Sequence, residues 1–281
     1  MMRYKPMLAY PVSDKPINYE DKVFMQPKLD GVRCLIQYDK GKVTAYSRTG
    51  KEWKNIHHIT SSLEKWFQSN QTTVLDGELY NHDLRDDFEQ IISMVRKTKP
   101  TDEDRLKSAE NVQFHCYDII HPNNSTFEDR SRFIKYCVEQ SSPYVHIVNT
   151  LQCISDEDAK EMHAVNLACG FEGSILRTND KYACKRSHNL RKFKDFHDTE
   201  ATIVGFVEGK GKRKGTIGKF IAEDKDGIMF GMPVMDKFKY LQDNFEEMQT
   251  WIGKTATFTY FERTKANSYR HPLFKCIRNY E

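Results

Sequence analysis

The sequence lacks the features that mark membrane proteins, secreted proteins and zinc-binding proteins. Its 281 residues contain no apolar stretch long enough to span a bilayer, and the opening MMRYKPMLAYP does not have the order of a signal peptide. Seven cysteines are scattered without a CxxC pair or a histidine at zinc spacing, which argues against disulfides and structural zinc. We therefore expect a soluble, cytoplasmic protein with reduced thiols and no membrane partner.

Two common nucleotide-binding signatures are also absent. The sequence contains neither a GxGxxG nor a GxxxxGK[ST] phosphate loop, and it lacks the strict strand-helix alternation of a doubly wound fold. A nucleotide would therefore have to bind in another way. The formal net charge of +3 is too small to indicate a nucleic-acid partner by itself, so the distribution of charge carries more information.

Two segments in the C-terminal half are strongly basic. KYACKRSHNLRKFK (residues 181–194) and GKGKRKGTIGK (residues 209–219) contain many lysines and arginines and no acidic residue. A run of charge is often only a solvated face. The second run is spaced by glycines, as in a flexible loop that follows a phosphate backbone. Its candidate backbone contacts are Lys210, Lys212, Arg213 and Lys214.

Hydrophobic periodicity predicts an α/β (α+β) domain with mixed and antiparallel sheets, followed by a small all-β barrel of the OB type. Apolar residues fall on one helical face over residues 56–67 and again over 84–95, and Ser155 with Asp158 resembles a capping box of a helix that Gly170 ends. Strands are predicted over residues 73–80 and 112–120, among others. After about residue 198 the pattern changes to five short strands and one helix, whose apolar face spans residues 238–248. We predict domains over residues 1–197 and 198–281.

The segment FMQPKLDGVRC (residues 24–34) places a lysine between two strand-like runs. Lysine is costly to bury, so Lys28 in this K-x-D-G motif indicates an amine required in a crevice. In LDGELY, Asp76 and Glu78 lie on the same face of a predicted strand, where two carboxylates can hold a metal or a ribose hydroxyl. A solvated edge strand would give the same pattern.

Two further motifs add an acid and a pair of cations. FEGSILR places Glu172 at the start of a predicted strand, and RKFK places Lys192 and Lys194 on one face of the next strand. Two lysines that point the same way repel each other unless an anion lies between them. A polyphosphate is such an anion.

The order of K-x-D-G, S-R-T-G, D-G-E-L, F-E-G-S, K-F-K and R-H-P-L-F closely resembles that of the ATP-dependent DNA ligases, within the covalent nucleotidyltransferase superfamily. The similarity is greatest to the compact viral or phage type, and it extends from KPMLA to RHPLFKCIR (residues 5–278). It implies a nucleotidyltransferase domain and an OB domain. It also implies a monomeric enzyme that uses ATP and Mg²⁺ to seal nicked double-stranded DNA in repair, replication or recombination.

The same resemblance implies a role for each matching residue. Lys28 would be the nucleophile that takes AMP as a phosphoramidate. Its amine must be neutral to attack, whereas an ordinary lysine has a pKa of about 10.4 and is almost wholly protonated at neutral pH. Arg48 in SRTG would contact the 5′-phosphate of the nick. The implied contacts to ATP or AMP are Arg33, Glu78, Tyr117, Glu172, Lys192, Lys194 and Arg270, and the implied metal ligands are Asp76, Glu78 and Glu172. Either Tyr117 or Phe114 could stack on adenine.

Three alternatives remain open at this point. A capping guanylyltransferase shares K-x-D-G and the paired lysines but uses GTP, and an RNA ligase shares the N-terminal chemistry but commonly lacks this OB ending. A non-catalytic OB protein with a decayed nucleotidyltransferase domain would lack at least one of Lys28, Glu172 or Lys194, and all three are present. SRTG together with RHPLF favours the DNA ligase.

Overall fold

The structure of the protein is a computed structural model, and it describes residues 1–123, 125–138, 141–194, 197–264 and 267–278. The chain divides into two compact units, Met1–Phe193 and Lys194–Glu281. This division falls four residues before the boundary that was expected after residue 197. It assigns the basic residue Lys194 to the second unit.

Two five-stranded sheets form the framework of the first unit. In chain order the strands are β1 (Leu8–Pro11), β2 (Val23–Lys28), β3 (Val32–Asp39), β4 (Lys42–Tyr46), β5 (Val74–Tyr80), β6 (Gln113–Ile120), β7 (Val145–Ile147), β8 (Leu151–Cys153), β9 (Gly173–Thr178) and β10 (Arg186–Phe193). One sheet has the order β1-β10-β9-β2-β8 and the other the order β4-β3-β5-β6-β7. Most neighbouring strands are antiparallel, whereas β1 with β10 and β6 with β7 are parallel. The first unit is thus mixed, as predicted.

The helices of the first unit cover the sheets and bury their apolar faces. They are α1 (His57–Ser62), α2 (Glu64–Ser69), α3 (Phe88–Val95), α4 (Asp102–Asn111), α5 (Phe127–Cys137) and α6 (Asp156–Ala168). Ile59, Phe67 and Ile91 pack into a core with strand residues of the second sheet. Ala159 of α6 packs against Val23 of β2 in a separate cluster. No helix among the described residues combines the length and the apolar character needed to cross a membrane.

The three helices predicted in the first unit differ in detail from the structure, and the one expected over residues 84–95 begins only at Phe88. The apolar face predicted over residues 56–67 is divided between α1 and α2, which are separated at Leu63. The predicted helix start at Ser155 is present, since its side chain accepts a hydrogen bond from the Asp158 N–H. The Asp158 carboxylate instead accepts from the Ile154 N–H, so the second half of the expected capping box is displaced by one residue.

The second unit is an antiparallel sheet with two short helices. Its elements are β11 (His197–Glu208), β12 (Ile217–Glu223), β13 (Met229–Pro233), α7 (Phe238–Asp243), α8 (Phe245–Gln249), β14 (Thr255–Tyr260), β15 (Glu262–Arg263), β16 (Tyr269–Arg270) and β17 (Leu273–Ile277). The sheet order is β13-β12-β11-β14-β17, and β15 pairs with β16 separately. Leu241 and Met248 pack onto the core formed by Phe220 and Phe258. The one helix predicted here is interrupted at Asn244, but its apolar face is buried as expected.

Candidate active site

Lys28 ends strand β2, where the pairing with β9 brings it close to Glu172. The antiparallel register sets Lys28 opposite Gly173. The Glu172 N–H donates to the Lys28 carbonyl oxygen at 3.1 Å, and the two side chains form an ion pair. The Lys28 side chain is 22% exposed and that of Glu172 only 4%. Strand pairing therefore joins an accessible amine to a buried carboxylate that lies 144 positions away in sequence.

Two glycines of the motifs allow the backbone to approach closely around this pair. A Cβ atom at Gly31 would lie 2.4 Å from the Leu79 carbonyl oxygen and 2.7 Å from Glu78 Cγ. At Gly173 the φ angle is +148°, and a Cβ atom would lie 2.4 Å from the Phe193 carbonyl oxygen. Only glycine fits such positions without movement of the backbone. The glycines of K-x-D-G and F-E-G-S therefore allow the start of β3 to lie close to β5 and the start of β9 to lie close to β10.

Arg33 is anchored beside this pair by a buried carboxylate. Its Nε donates to Asp76 Oδ1 at 2.7 Å and its Nη2 donates to Asp76 Oδ2 at 2.6 Å. The Tyr182 hydroxyl donates to the same Oδ2 at 2.6 Å. The Asp76 side chain has no exposed surface. Asp76 thus fixes the direction of the Arg33 guanidinium.

Glu78 and Tyr117 lie next to Arg33 on the same sheet. The Tyr117 hydroxyl donates to Glu78 Oε2 at 3.2 Å, and the Arg33 guanidinium lies 5.1 Å from the centre of the Tyr117 ring. Burial raises the pKa of Glu78 to about 7, although the positive charges of Arg33 and Lys28 act against this shift. Phe114 is fully buried in the core. Tyr117 is therefore the member of this aromatic pair that faces the site.

Lys192 extends the positive charge of the site along β10. Burial lowers the pKa of Lys192, and the nearby charges of Lys28 and Arg186 lower it further. Arg186 is held at the start of β10 by a hydrogen bond to the Ala9 carbonyl oxygen. The positive charges of Lys28 and Arg186 thus disfavour the charged form of Lys192, and an anion in this crevice would relieve that repulsion.

Sequence reasoning missed a buried network behind the site. Gln26 donates to Thr150 Oγ1 at 2.8 Å and accepts from Arg177 Nε at 2.6 Å. Arg177 also donates to Asp118 at 2.7 Å and lies 5.3 Å from the Tyr117 ring centre. Gln26 and Lys28 are two residues apart on one strand, so strand periodicity was the available signal for Gln26. Nothing in the sequence pattern pairs Arg177 with either residue.

The remaining predicted contacts are Arg48 in the first unit and Lys194 and Arg270 in the second unit. Arg48 is exposed on a turn closed by the hydrogen bond from the Gly50 N–H to the Ser47 carbonyl oxygen. In the second unit, Lys194 lies 4.4 Å from the centre of the Phe261 ring. Arg270 in β16 donates to Glu262 Oε1 at 2.6 Å.

The basic loop of the second unit connects β11 to β12. It contains a single turn of 3-10 helix, Gly211–Arg213. The Gly209 N–H donates to the Thr216 carbonyl oxygen at 2.9 Å, which closes the base of the loop. Its four candidate residues are all exposed: Lys210, Lys212, Arg213 and Lys214.

The three predicted metal ligands do not form a preformed metal-binding site. Within the part of the chain that the structure describes, no group of three His, Cys, Asp or Glu side chains is arranged to hold a metal ion. Both oxygens of Asp76 are engaged by Arg33 and Tyr182, which favours an anchoring role for it. Glu78 and Glu172 still offer hard oxygen donors beside Lys28. These residues fit a Mg²⁺ ion that takes most of its ligands from substrate phosphates and water.

Comparison with known families identifies both parts of the chain. The family described as the ATP dependent DNA ligase domain matches residues 6–194, and the family described as the DNA ligase OB-like domain matches residues 208–278. The DNA ligase of Halobacterium salinarum is 23% identical over 233 residues, and that of African swine fever virus is 27% identical over 206 residues. These matches cover 76% and 70% of this chain. The matched part spans 40% and 48% of the length of those relatives.

Solved structures show the same fold. A structure of a Lig E DNA ligase, described as binding DNA with a minimal scaffold, has a TM-score of 0.75 and 24% identity, and the match covers 99% of this chain and 100% of that chain. The ATP-dependent DNA ligase of bacteriophage T7 in complex with ATP has a TM-score of 0.55 and 16% identity, with 98% of each chain covered. The predicted order of a mixed α/β domain followed by an OB-like domain is thereby confirmed.

Proposed function

The chain belongs to the ATP-dependent DNA ligases, and from that premise we propose that it seals nicks in duplex DNA through a lysyl-AMP intermediate. The observation that carries this proposal is the pairing of Lys28 with Glu172 beside Arg33, Glu78 and Tyr117. An accessible amine next to aligned cations and a polar aromatic group is suited to a nucleoside triphosphate. The protein acts as a monomer in this proposal.

In the first step, Lys28 Nζ attacks the α-phosphorus of ATP. A new N–P bond forms, the bond to the bridging oxygen breaks, and pyrophosphate leaves with the electron pair. Glu172 orients the amine, and its carboxylate is suited to hold the proton that Nζ must lose before attack. Lys192 neutralises charge on the α-phosphate, which is supported by its proximity to Lys28.

The nucleoside is held by residues of β3, β5 and β6. Arg33, fixed by Asp76, contacts the ribose, and Glu78 accepts from a ribose hydroxyl. Tyr117 stacks on the adenine, and its hydroxyl remains tied to Glu78. Glu78 and Glu172 would hold a Mg²⁺ ion, which would supply positive charge to the phosphates of ATP. The rigid anchoring of Arg33 lowers the entropy cost of positioning the substrate.

In the second and third steps the AMP moves to DNA and is then displaced. The 5′-phosphate of the nick attacks the phosphorus of Lys28-AMP and releases the Lys28 amine, after which the 3′-hydroxyl attacks the 5′-phosphate and AMP leaves. Arg48 contacts the 5′-phosphate, and the cations of the loop from Lys210 to Lys214 contact the DNA backbone. Lys194 and Arg270 contact the phosphates of ATP. Both of these last roles rest on the family resemblance.

A nick-sealing assay tests this proposal against the related activities. The protein should seal a nicked DNA duplex with ATP and Mg²⁺ and not with GTP. A capping guanylyltransferase would form its adduct from GTP, and an RNA ligase would prefer RNA ends. Sealing that proceeds with GTP alone, or only on RNA strands, would contradict the proposal.

A further inference from the structure

A cavity of about 510 Å³ lies in the first unit beside β2 and α6. Pro27 and Leu29, which flank Lys28, contribute to its wall, as does Phe171, which precedes Glu172. None of the residues proposed to contact ATP is among its described lining residues. The cavity therefore borders the backbone of the nucleophile but is separate from the nucleotide site.

The wall of this cavity is largely apolar and aromatic. Ile147 and Met162 supply aliphatic surface, and His82 and Phe171 supply flat rings. The His82 ring is held in place, because the hydroxyl of the buried Tyr80 and His82 Nδ1 are 2.7 Å apart and His82 Nε2 lies 3.1 Å from the Cys169 carbonyl oxygen. Cavities of roughly 300 to 1,000 Å³ with apolar walls and a few fixed polar groups are typical of small-molecule sites.

The charge of the cavity is opposite to that of the nucleotide site. Its charged lining residues are Asp158 and Glu161, and none of the described lining residues is a lysine or an arginine. His115 also lines the cavity, and burial lowers its pKa to about 3, so its imidazole is neutral at physiological pH. Glu161 is exposed and lies at the rim. Phosphates are therefore repelled here, whereas a cation is attracted.

We propose that this cavity is a binding site for a small planar aromatic compound that carries an amine. The aromatic part lies between the apolar wall and the rings of His82 and Phe171, and the ammonium group faces Glu161. The site is distinct from that of ATP and lies against the two residues that flank Lys28.

Isothermal titration calorimetry with two matched probes tests the chemistry of the site. Tryptamine and 3-indolepropionic acid share the indole ring and differ in the charge of the side chain. Tryptamine should bind with a stoichiometry of one, and the carboxylate should bind at least about tenfold more weakly because Asp158 and Glu161 repel it. Equal affinity of the two probes, or no binding of tryptamine, would overturn the proposal.

Substitutions at the rim locate the bound probe. Glu161→Gln should weaken tryptamine binding by about three- to tenfold, and Glu161→Lys should abolish it. Glu161 is exposed, so both variants should fold normally. Glu64→Gln in α2 is the matched control: Glu64 is exposed and does not line the cavity, so its loss should leave the affinity unchanged. Equal effects of Glu161→Gln and Glu64→Gln would exclude this cavity as the binding site.

A competition experiment tests whether the cavity is separate from the nucleotide site. Saturating ATP should leave the affinity for tryptamine within about twofold, because the two sets of lining residues do not overlap. Displacement of tryptamine by ATP would contradict a separate site. Calorimetry measures binding without catalysis, so a failure here leaves the proposed ligase activity intact. A failure of nick sealing would likewise leave this binding result standing.

Discussion

Arg33 is held by two hydrogen bonds to the buried Asp76 carboxylate, and Tyr182 donates a third hydrogen bond to that carboxylate. A buried ion pair is favourable only when its geometry is good and its remaining lone pairs are satisfied, since both charges lose their hydration. Tyr182 meets that second requirement. The result is a guanidinium whose direction is set before any substrate arrives.

Glu78 provides a pH-dependent test of the site. Its pKa is raised by burial from 4.5 to about 7, so the folded protein keeps a proton that the unfolded chain releases as the pH rises through this window. The contribution of Glu78 to the free energy of unfolding is therefore full below about pH 4.5 and falls as the pH rises to about 7. Glu78→Gln removes this dependence.

Urea unfolding of the wild type and of Glu78→Gln at pH 5 and pH 8 checks this prediction. The stability of the wild type relative to the variant should decrease by roughly 2 to 3 kcal/mol between the two pH values. Glu110→Gln, a change at an exposed glutamate of α4, is the control and should show no such trend. An equal stability difference at both pH values for Glu78→Gln would mean that Glu78 ionises normally in the folded state.

The sequence predicted site residues that lie in short motifs, but it did not show which side chains meet only through folding. Lys28 and Glu172 each carry a recognisable local pattern, K-x-D-G and F-E-G-S. Gln26 and Arg177 are 151 positions apart and meet only because β2 pairs with β9. A hydrogen bond between distant residues leaves no periodic signal in a single sequence. The anchoring role of Asp76 was missed because its partners lie on β3 and next to β10.

Among the elements, strands were predicted more accurately than helices. The predicted strand over residues 73–80 is β5, and the predicted strand over residues 112–120 is β6. β6 alternates between half-buried and buried residues over its first six positions, whereas β5 is buried at six of its seven residues. The predicted helices over 56–67 and 238–248 each divide into two short helices. Apolar periodicity identifies the buried face of a helix but does not register a break at one residue such as Leu63 or Asn244.

The basic loop between β11 and β12 leads us to predict that the affinity for DNA depends on the salt concentration. Each lysine or arginine that neutralises a phosphate releases counterions, so the affinity for a nicked duplex should fall steeply with salt. Changing Lys210, Lys212, Arg213 and Lys214 together to glutamine should weaken binding and reduce the slope of log K against log salt by about 3 to 4. Fluorescence anisotropy with a labelled nicked duplex measures this slope.

A second variant separates local contacts from the overall charge. Lys65, Lys99, Lys135 and Lys160 are exposed on the first unit, and their change to glutamine removes the same net charge. This control should leave the salt slope nearly unchanged, because only cations at the DNA backbone release counterions. Equal slopes for both fourfold variants would mean that the loop is only a solvated surface.

At the scale of the whole molecule, the two units are proposed to act at different steps. Arg270 in the second unit is proposed to orient the pyrophosphate leaving group, and Arg48 in the first unit is proposed to contact the nick. Arg270→Ala should therefore fail to form Lys28-AMP and still seal a nick that already carries AMP. Arg48→Ala should form Lys28-AMP normally and fail at transfer to DNA.

The rate of Lys28 adenylation and the rate of sealing of a pre-adenylated nick, measured separately, check that the two variants have opposite defects. Loss of each charge-assisted contact should lower the rate of the step in which that contact acts by about tenfold or more, since such a contact contributes about 1.5 to 3 kcal/mol. Arg278→Ala removes an arginine that forms an ion pair with Glu200 in the same unit as Arg270, and it controls for general damage to that unit. If Arg270→Ala slowed the sealing of a pre-adenylated nick as much as adenylation, Arg270 would be better interpreted as a DNA contact or a structural arginine.

The central claim is that Lys28 is the nucleophile, and its adduct can be measured directly. Purified wild-type protein is incubated with ATP and Mg²⁺, and the intact mass and the modified peptide are then determined by mass spectrometry. We predict one AMP per chain, attached to Lys28, and none after incubation with GTP. Lys28→Ala should carry no AMP and keep its fold, and Lys22→Ala, which removes an exposed ion-paired lysine just before β2, should be adenylated normally. An AMP adduct that persists in Lys28→Ala, or that maps to another residue in the wild type, would contradict the account.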